Sequence, residues 1–196
     1  MKCLLIHLIV FVVFVHSDTT KRLFLPQLPM GEYRVKMVAI IRCEQSQTNN
    51  LMKLNYYISK TSINTTDMKG NMTFLIPLDD SLNVEINGAV KDSIGGWKEN
   101  AHIFKQPKAC SALKKMLGNT WHNITESLGM HNTPGCPIPA GTYVSSGMKK
   151  SDDFFSNLPK QFFYGTYKVR FQFTRNKMVI GCSISVVEVK RPWETA

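Results

Sequence analysis

The stretch Tyr167-Lys-Val-Arg-Phe-Gln-Phe173, followed by Met178-Val-Ile-Gly-Cys-Ser-Ile-Ser-Val186, decides the fold class. In the first segment apolar residues alternate with polar ones, and this period of two predicts a half-buried β-strand. A turn at Arg175-Asn176 joins it to the second segment, where one apolar phase predicts a buried face. That phase contains Met178, Ile180, Cys182, Ile184 and Val186, and it lies opposite Gly181, Ser183 and Ser185.

Upstream segments repeat the alternation. It predicts strands over residues 33–43, 51–59 and 71–77. Asn87-Gly88 then predicts a hairpin turn, because both residues accept positive φ. A weaker return strand is expected to run towards Gly95-Gly96-Trp97, and a further short strand is expected near residues 101–104. On the first strand, the phase predicted to be buried contains Tyr33, Val35, Met37, Ala39, Ile41 and Cys43.

The period changes between residues 110 and 128, where apolar residues recur at steps of three and four and predict a helix. Gly118 is expected to weaken or break this helix, at about 1 kcal/mol relative to alanine. Many short strands with a single helical insertion are typical of an antiparallel β-sandwich. We therefore expect a mostly β chain, a sandwich or cup with an apolar cavity and one inserted helical segment.

The first residues predict secretion. A charged start at Lys2, an apolar run from Cys3 to Val15 and a small residue at Ser17 are typical of a signal peptide over residues 1–17. The apolar run is shorter than the roughly 20 residues that a membrane-spanning helix needs. Residues 18–196 are then expected to form one secreted, extracellular domain.

The cysteines and sequons agree with that route. Four cysteines remain after the signal peptide, and four allow three pairings: the residues are Cys43, Cys110, Cys136 and Cys182. Disulfides form and persist in the oxidising compartments of secretion. Asn64, Asn71 and Asn123 each begin an Asn-x-Thr sequon, so glycosylation is expected there.

The net charge of +10 falls to +9 when Lys2 is removed with the signal peptide. Secretion makes nucleic acid an unexpected partner despite this charge. The cations on the polar strand phases indicate a solvated outer face or, alternatively, attraction to anionic lipid headgroups. They are Arg34, Lys36, Arg42, Lys168 and Arg170.

Catalysis and metal binding lack the patterns that they require. His102, His122 and His131 have no zinc-ligand spacing, and the sequence contains neither a Cys-x-x-Cys pair nor a nucleophile elbow. We therefore expect no enzyme, no metal and no cofactor.

An aromatic loop over residues 154–164 carries the strongest functional signal. Its apolar residues do not alternate, and Pro159 interrupts them. Such a loop indicates a lid over an apolar cavity or a membrane-touching edge, and the alternative is that it simply folds down as core. The residues concerned are Phe154, Phe155, Leu158, Phe162 and Phe163.

The motifs Cys136-Pro-x-Pro-x-Gly-Thr-Tyr143, Leu158-Pro159, Gly165-Thr-Tyr167 and Gly181-Cys182 carry a family resemblance. They resemble the C-terminal half of the ganglioside activator proteins, lipid carriers of the MD-2-related lipid-recognition type. The overall layout is most similar to the insect chemosensory B proteins, which are implicated in sensing contact pheromones. The resemblance is specific over about 50 residues and concerns only topology in the N-terminal half.

The resemblance implies disulfides Cys43–Cys182 and Cys110–Cys136, the first of which would bridge the two sheets if both cysteines face inward. It also implies a mobile flap over residues 144–164, whose aromatic residues would line or cover a lipid cavity. Trp97 and Trp121 are weaker lining candidates, because each is equally consistent with core.

Three functions follow as hypotheses. The first is a secreted carrier of a hydrophobic ligand, a lipid or a cuticular-hydrocarbon-like pheromone, in chemosensory perception. The second is an interaction module that docks on a sensory receptor, a channel or a membrane surface and has no ligand cavity. The third is a lipid-presenting activator for a hydrolase.

Overall fold

A computed structural model describes residues 28–44, 49–60, 66–130, 135–148 and 157–194. The predicted signal peptide, the Asn64 sequon, His131, Phe154 and Phe155 lie outside these residues. The chain is mostly β, as predicted, and the described residues contain two short helices. The elements are β1 (Met30–Gly31), β2 (Arg34–Arg42), β3 (Met52–Lys60), β4 (Thr66–Phe74), β5 (Asn83–Lys91), β6 (Trp97–Pro107), α1 (Ala109–Leu117), α2 (Thr120–Ser127), β7 (Gly141–Met148), β8 (Phe162–Phe163), β9 (Gly165–Arg175) and β10 (Met178–Lys190).

Eight of the described strands form one sheet that divides into two layers, and β1 pairs with β8 in a separate two-stranded sheet. The large layer has the order β6-β5-β9-β10-β2, and all its neighbours are antiparallel. The small layer is β3-β4-β7, also antiparallel. The layers join where Gly181 of β10 pairs with Met52 of β3. A Cβ on Gly181 would lie 2.6 Å from Met52 Cβ, so glycine permits this close approach.

The predicted strands are largely confirmed, with two differences in their bounds. β4 begins and ends earlier than predicted, because its ladder with β3 runs from Thr66 to Phe74. Asn87-Gly88 does not turn the chain, since β5 continues through it and turns only at Gly95 and Gly96, where φ is 99° and 83°. Gly88 instead gives room on the inner face for His102, whose Cβ lies 3.6 Å from a Cβ built at Gly88.

A β-bulge in β2 overturns the predicted burial of its second half. Met37 pairs with Val187 and Ala39 with Val186, so Val38 is an extra residue. One extra residue moves all following side chains to the opposite face. Val35 and Met37 face inward as predicted, whereas Ile41 faces outward and is 45% exposed.

The predicted buried phase of β10 is confirmed at Ile180, which is buried, but it is wrong from Cys182 onwards, after an irregularity in the pairing between Val179 and Gly181. Side chains of directly opposed residues in an antiparallel pair share a face. Ser183 pairs with Phe171, which packs against the core, and Ser183 is itself buried. The inner face of β10 therefore carries Gly181, Ser183 and Ser185, and the predicted phase of Cys182 faces outward. Small inner residues are compatible with burial here because the opposed aromatic side chains fill the space.

The structure contains two disulfides, Cys43–Cys182 and Cys110–Cys136, the pairings that the resemblance implies. The expectation that the first bridges the two sheets is wrong. Cys182 pairs with Gln172 on the outer face of the large layer, and Cys43 directly follows β2, the neighbouring strand of the same layer. The bulge at Val38 is what brings Cys43 to this outer face.

The predicted helical segment is confirmed as two helices that separate at Gly118, whose φ is 55°. α1 is joined to β5 by a hydrogen bond from the Ala109 N–H to the Leu82 carbonyl. α2 packs over the inner face of the small layer. Within the described ranges, no helix is long and apolar enough to cross a membrane.

Candidate functional site

The two layers enclose a hydrophobic core where the helices lie between them, and we call this region the closed end. Large residues of both layers are almost fully buried there, as are residues of both helices. The set includes Met52, Phe74, Leu82, Val84, Leu113, Trp121, Phe173 and Ile180. The disulfide Cys110–Cys136 joins α1 to the segment before β7 and so fixes the helices to the small layer.

At the other end of β9, Tyr167 and the neighbouring Val189 of β10 are buried. Five rings form an aromatic cluster there, of which Phe163 is 46% exposed. The Phe162 ring is 4.8 Å from the His102 ring, 5.6 Å from the Tyr167 ring and 5.9 Å from the Tyr33 ring. Phe163 is the fifth member, 6.2 Å from His102. Tyr167 is buried, and this burial raises the pKa of its hydroxyl, so Tyr167 is neutral.

Between these two buried regions the inner face of the large layer is only half-buried, and we call this part the trough. Along β9 the inward side chains change from buried Tyr167 through half-buried Val169 and Phe171 to buried Phe173. Along β10 the same sequence runs from buried Ser183 to buried Val189. The buried residues that limit the trough on β9, Tyr167 and Phe173, are six residues and so about 20 Å apart along the strand. Its members are Met37, Ile86, Phe104, Val169, Phe171, Ser185 and Val187.

Residues 157–163, which we call the strap, run from the closed end to the aromatic cluster. At one end the Asn157 side-chain amide donates to the Lys115 carbonyl of α1 at 2.8 Å, which satisfies one of the free carbonyls of that helix terminus. At the other end Phe162 and Phe163 form β8, which pairs with β1. The strap is therefore anchored both at the closed end and at the aromatic cluster, and its Leu158 is half-buried.

The N-terminal segment is bound to the same end of the strap. The Tyr164 N–H donates to the Pro29 carbonyl, and its hydroxyl donates to the Glu32 carbonyl at 2.9 Å. The Arg191 guanidinium lies 4.4 Å over the Tyr164 ring and donates to the Leu28 carbonyl. Residues 28–33 and the end of the strap are thus one connected unit.

Not all predicted site residues meet in this region. Phe162, Phe163 and Leu158 do, whereas Trp121 is a core residue of the closed end, 6% exposed. Trp97 lies on the outer face, 37% exposed, with the Lys168 ammonium 5.2 Å over its ring. The predicted flap over residues 144–164 is wrong at its start, because β7 continues to Met148.

One hydroxyl pair lies at the boundary between the closed end and the trough. Tyr56 of β3 and Ser183 of β10 form a short hydrogen bond between their hydroxyl groups. Burial raises the pKa of Tyr56, and the bond to Ser183 lowers it in part. The pair is the polar contact that links the inner faces of the two layers at this point.

A small, partly open cavity lies between the small layer and α2. Its volume is about 10 Å³, roughly one water-sized probe. It is lined by Tyr56, Met68, Gly70, Asn71, Met72, Ile124, Ser127, Leu128 and Ser145. This cavity cannot hold an acyl chain, so ligand-sized space has to be sought in the trough.

Four of the five predicted outer cations are on the outer face, namely Arg34, Lys36, Lys168 and Arg170. The prediction is wrong for Arg42, because the bulge places this residue opposite Ser183 on the inner face, where it is exposed. Lys168 contacts Glu99 at 2.7 Å, while Arg34 and Lys36 are exposed near exposed Val38. Of the sequon asparagines, Asn123 is exposed on α2, and Asn71 faces outward opposite Val144. In the part of the chain that the structure describes, no three metal-ligating side chains cluster.

Sequence patterns missed Tyr33, His102 and Tyr167 as partners of Phe162. Tyr33 and Tyr167 were assigned correctly to inner phases, but nothing in the sequence joins them to one cluster. No model of a known protein family matches the chain, and no curated protein matches it.

Proposed function

We propose that this protein is a secreted, non-enzymatic binding protein for a hydrophobic ligand, such as a lipid or a pheromone, that acts in chemosensory perception. One observation carries the proposal: inward-facing apolar side chains stay half-exposed between two regions where the same strands are buried. Partly exposed apolar surface of this kind is what a hydrophobic ligand would cover.

The affinity would come from burial of the ligand chain, at about 0.8 kcal/mol per methylene. The strap would cover the bound chain, since Asn157 and Phe162 hold it at both ends of the trough. The resemblance to ganglioside activators and insect chemosensory B proteins supports the same function. Two disulfides are compatible with an extracellular site of action.

The test is lipid extraction and mass spectrometry of the secreted protein, with displacement of a fluorescent lipid. Val187→Trp would fill the trough and is expected to weaken binding at least about tenfold, because displaced chain contacts are lost. Val38→Trp is the matched control on the outer face and should leave binding unchanged. The absence of both bound lipid and displacement would contradict the proposal.

A docking module for a sensory receptor, a channel or a membrane surface is the second candidate. It is supported by exposed Val38 and Ile41, 48% and 45% exposed, on a face that also carries Arg34 and Lys36. Its prediction is opposite: Val38→Trp would weaken partner binding and Val187→Trp would not. A lipid-presenting activator would need the trough and would in addition raise the activity of a hydrolase.

A further inference from the structure

One residue of the trough, Ser185, carries a hydroxyl group, although its immediate neighbours on both adjacent strands are apolar. Ser185 lies on the inner face of β10, opposite Val169 on one side and Ile40 on the other. Both neighbours are aliphatic, and all three residues are half-buried. The Ser185 hydroxyl has no hydrogen-bond partner among the described residues, in contrast to the Ser183 hydroxyl, which is bonded to that of Tyr56.

We infer that Ser185 hydrogen-bonds a neutral oxygen function on the ligand, so that the preferred ligand is a long-chain alcohol or ester rather than a plain hydrocarbon. This inference rests on the proposed function and names the ligand class of the same site. A serine hydroxyl both donates and accepts, so it serves an alcohol or an ester carbonyl equally.

The immediate neighbours of Ser185 on both adjacent strands are aliphatic, and an unpaired carboxylate in an apolar site loses far more hydration than a hydroxyl does. A neutral oxygen function loses less, and one hydrogen bond compensates for it. Arg42 lies on the same face, opposite Ser183, and is exposed. The trough thus favours a chain with one uncharged polar group over an alkane, and the carboxylate in the comparison below tests whether Arg42 also admits an anion.

The position of Ser185 also fixes where that group would lie. Ser185 is two residues from buried Ser183, and so about 7 Å along the strand from the closed end. The hydroxyl groups of Tyr56 and Ser183, which lie nearer to the closed end, are already hydrogen-bonded to each other. The oxygen of the ligand would therefore lie near the inner limit of the trough, with its chain extending towards the aromatic cluster.

The experiment compares ligands of equal carbon number, an alkane, a primary alcohol, a methyl ester and a carboxylate, by displacement of N-phenyl-1-naphthylamine. The alcohol and the ester are expected to bind about three- to tenfold more tightly than the alkane, the effect of one net hydrogen bond. Ser185→Ala should abolish this preference while alkane affinity stays the same. Ser185→Val, which adds apolar surface, should tighten alkane binding.

Ser59→Ala is the matched control, because Ser59 alternates with inward Ile58 and faces outward from β3. Urea unfolding of each variant verifies that it is folded. Equal affinity for alkane and alcohol, or a preference that survives in Ser185→Ala, would overturn the inference and leave the carrier function intact. If neither the probe nor any of the four ligands binds, the proposed function fails and this inference with it.

Discussion

Phe171 and Phe173 lie on the same strand and the same face, with their rings 5.0 Å apart, but in different environments. Phe173 belongs to the closed end and is buried, whereas Phe171 is half-buried in the trough. The difference does not come from the strand, which is regular through both residues. It arises because Phe173 lies within the core that the helices close, whereas Phe171 lies at the edge of that core and packs against it with only part of its surface. We therefore expect stability and the proposed ligand binding to depend on different parts of one sheet.

Phe173→Ala should give the largest effect, a loss of about 3–5 kcal/mol in the free energy of unfolding, because a buried ring leaves a cavity. Phe171→Ala should cost about 2 kcal/mol, since part of its ring already contacts solvent. Urea unfolding measures both. Equal losses would mean that the trough is packed as tightly as the core, and the comparison would fail.

Removing the disulfide of the closed end should have the next largest effect. Cys110 and Cys136 are 26 residues apart, and replacing both with alanine should cost about 3 kcal/mol on the chain-entropy model. Thermal unfolding without reductant measures the loss. Ligand affinity should change little in folded protein, since neither cysteine lies in the trough. A large loss of affinity at full folding would show that the two regions are coupled.

Asn157→Ala tests the strap at its junction with α1. The loss of one exposed hydrogen bond should lower stability by about 1 kcal/mol or less. The rate of ligand dissociation, measured by stopped-flow displacement, should rise because the strap is released at one end. Lys160→Ala, at an exposed position of the same strap, is the control and should change neither quantity.

The smallest effect is expected at a helix terminus of the closed end. The Asp80 carboxylate accepts hydrogen bonds from the Ser111 hydroxyl at 2.6 Å and the Ser111 N–H at 2.9 Å, and these bonds lower the pKa of Asp80. A lowered pKa in the folded state gives a stabilisation that is present above the unfolded pKa, about 3.9, and is lost as the pH falls through the folded value.

Asp80→Asn should therefore reduce the drop in melting temperature between neutral and strongly acidic solution, by a small amount because Asp80 is exposed. Ser111→Ala should have a similar effect, and the double variant should add little to either. If the drop in melting temperature is undiminished in both single variants, the Asp80–Ser111 hydrogen bonds do not contribute to the stability of the closed end.

Alternation predicted which segments are strands, and steps of three and four predicted the helices and their break at Gly118. Alternation could not predict which face of the sheet each side chain occupies after a bulge. The extra residue Val38 moves every later side chain of β2 to the opposite face, and no residue type in the sequence marks such an insertion. Alternation also could not predict the inner face of β10, because Ser183 and Ser185 are polar residues and such residues are usually expected on the exposed face of a strand. Their burial depends on the aromatic rings of β9, a contact that sequence does not encode locally.

The candidate site was predictable in part. The aromatic loop was recognised, and its described members Leu158, Phe162 and Phe163 lie on the strap. Trp97 was misplaced because a strand residue next to a turn gives no signal of its face. The trough itself could not be predicted, since it is defined by how far two layers separate and not by any residue type.

The outward position of Cys43–Cys182 has a mechanical consequence. Both partners belong to the large layer, so this bond stiffens one wall, and the other disulfide holds the helices at the closed end. Along the trough, the described residues contain no covalent link from wall to wall. We expect the two layers to move apart by rotation about the Gly181–Met52 junction. In the proposed carrier, a trough of variable width would accept ligand chains of different thickness without rearrangement within either layer.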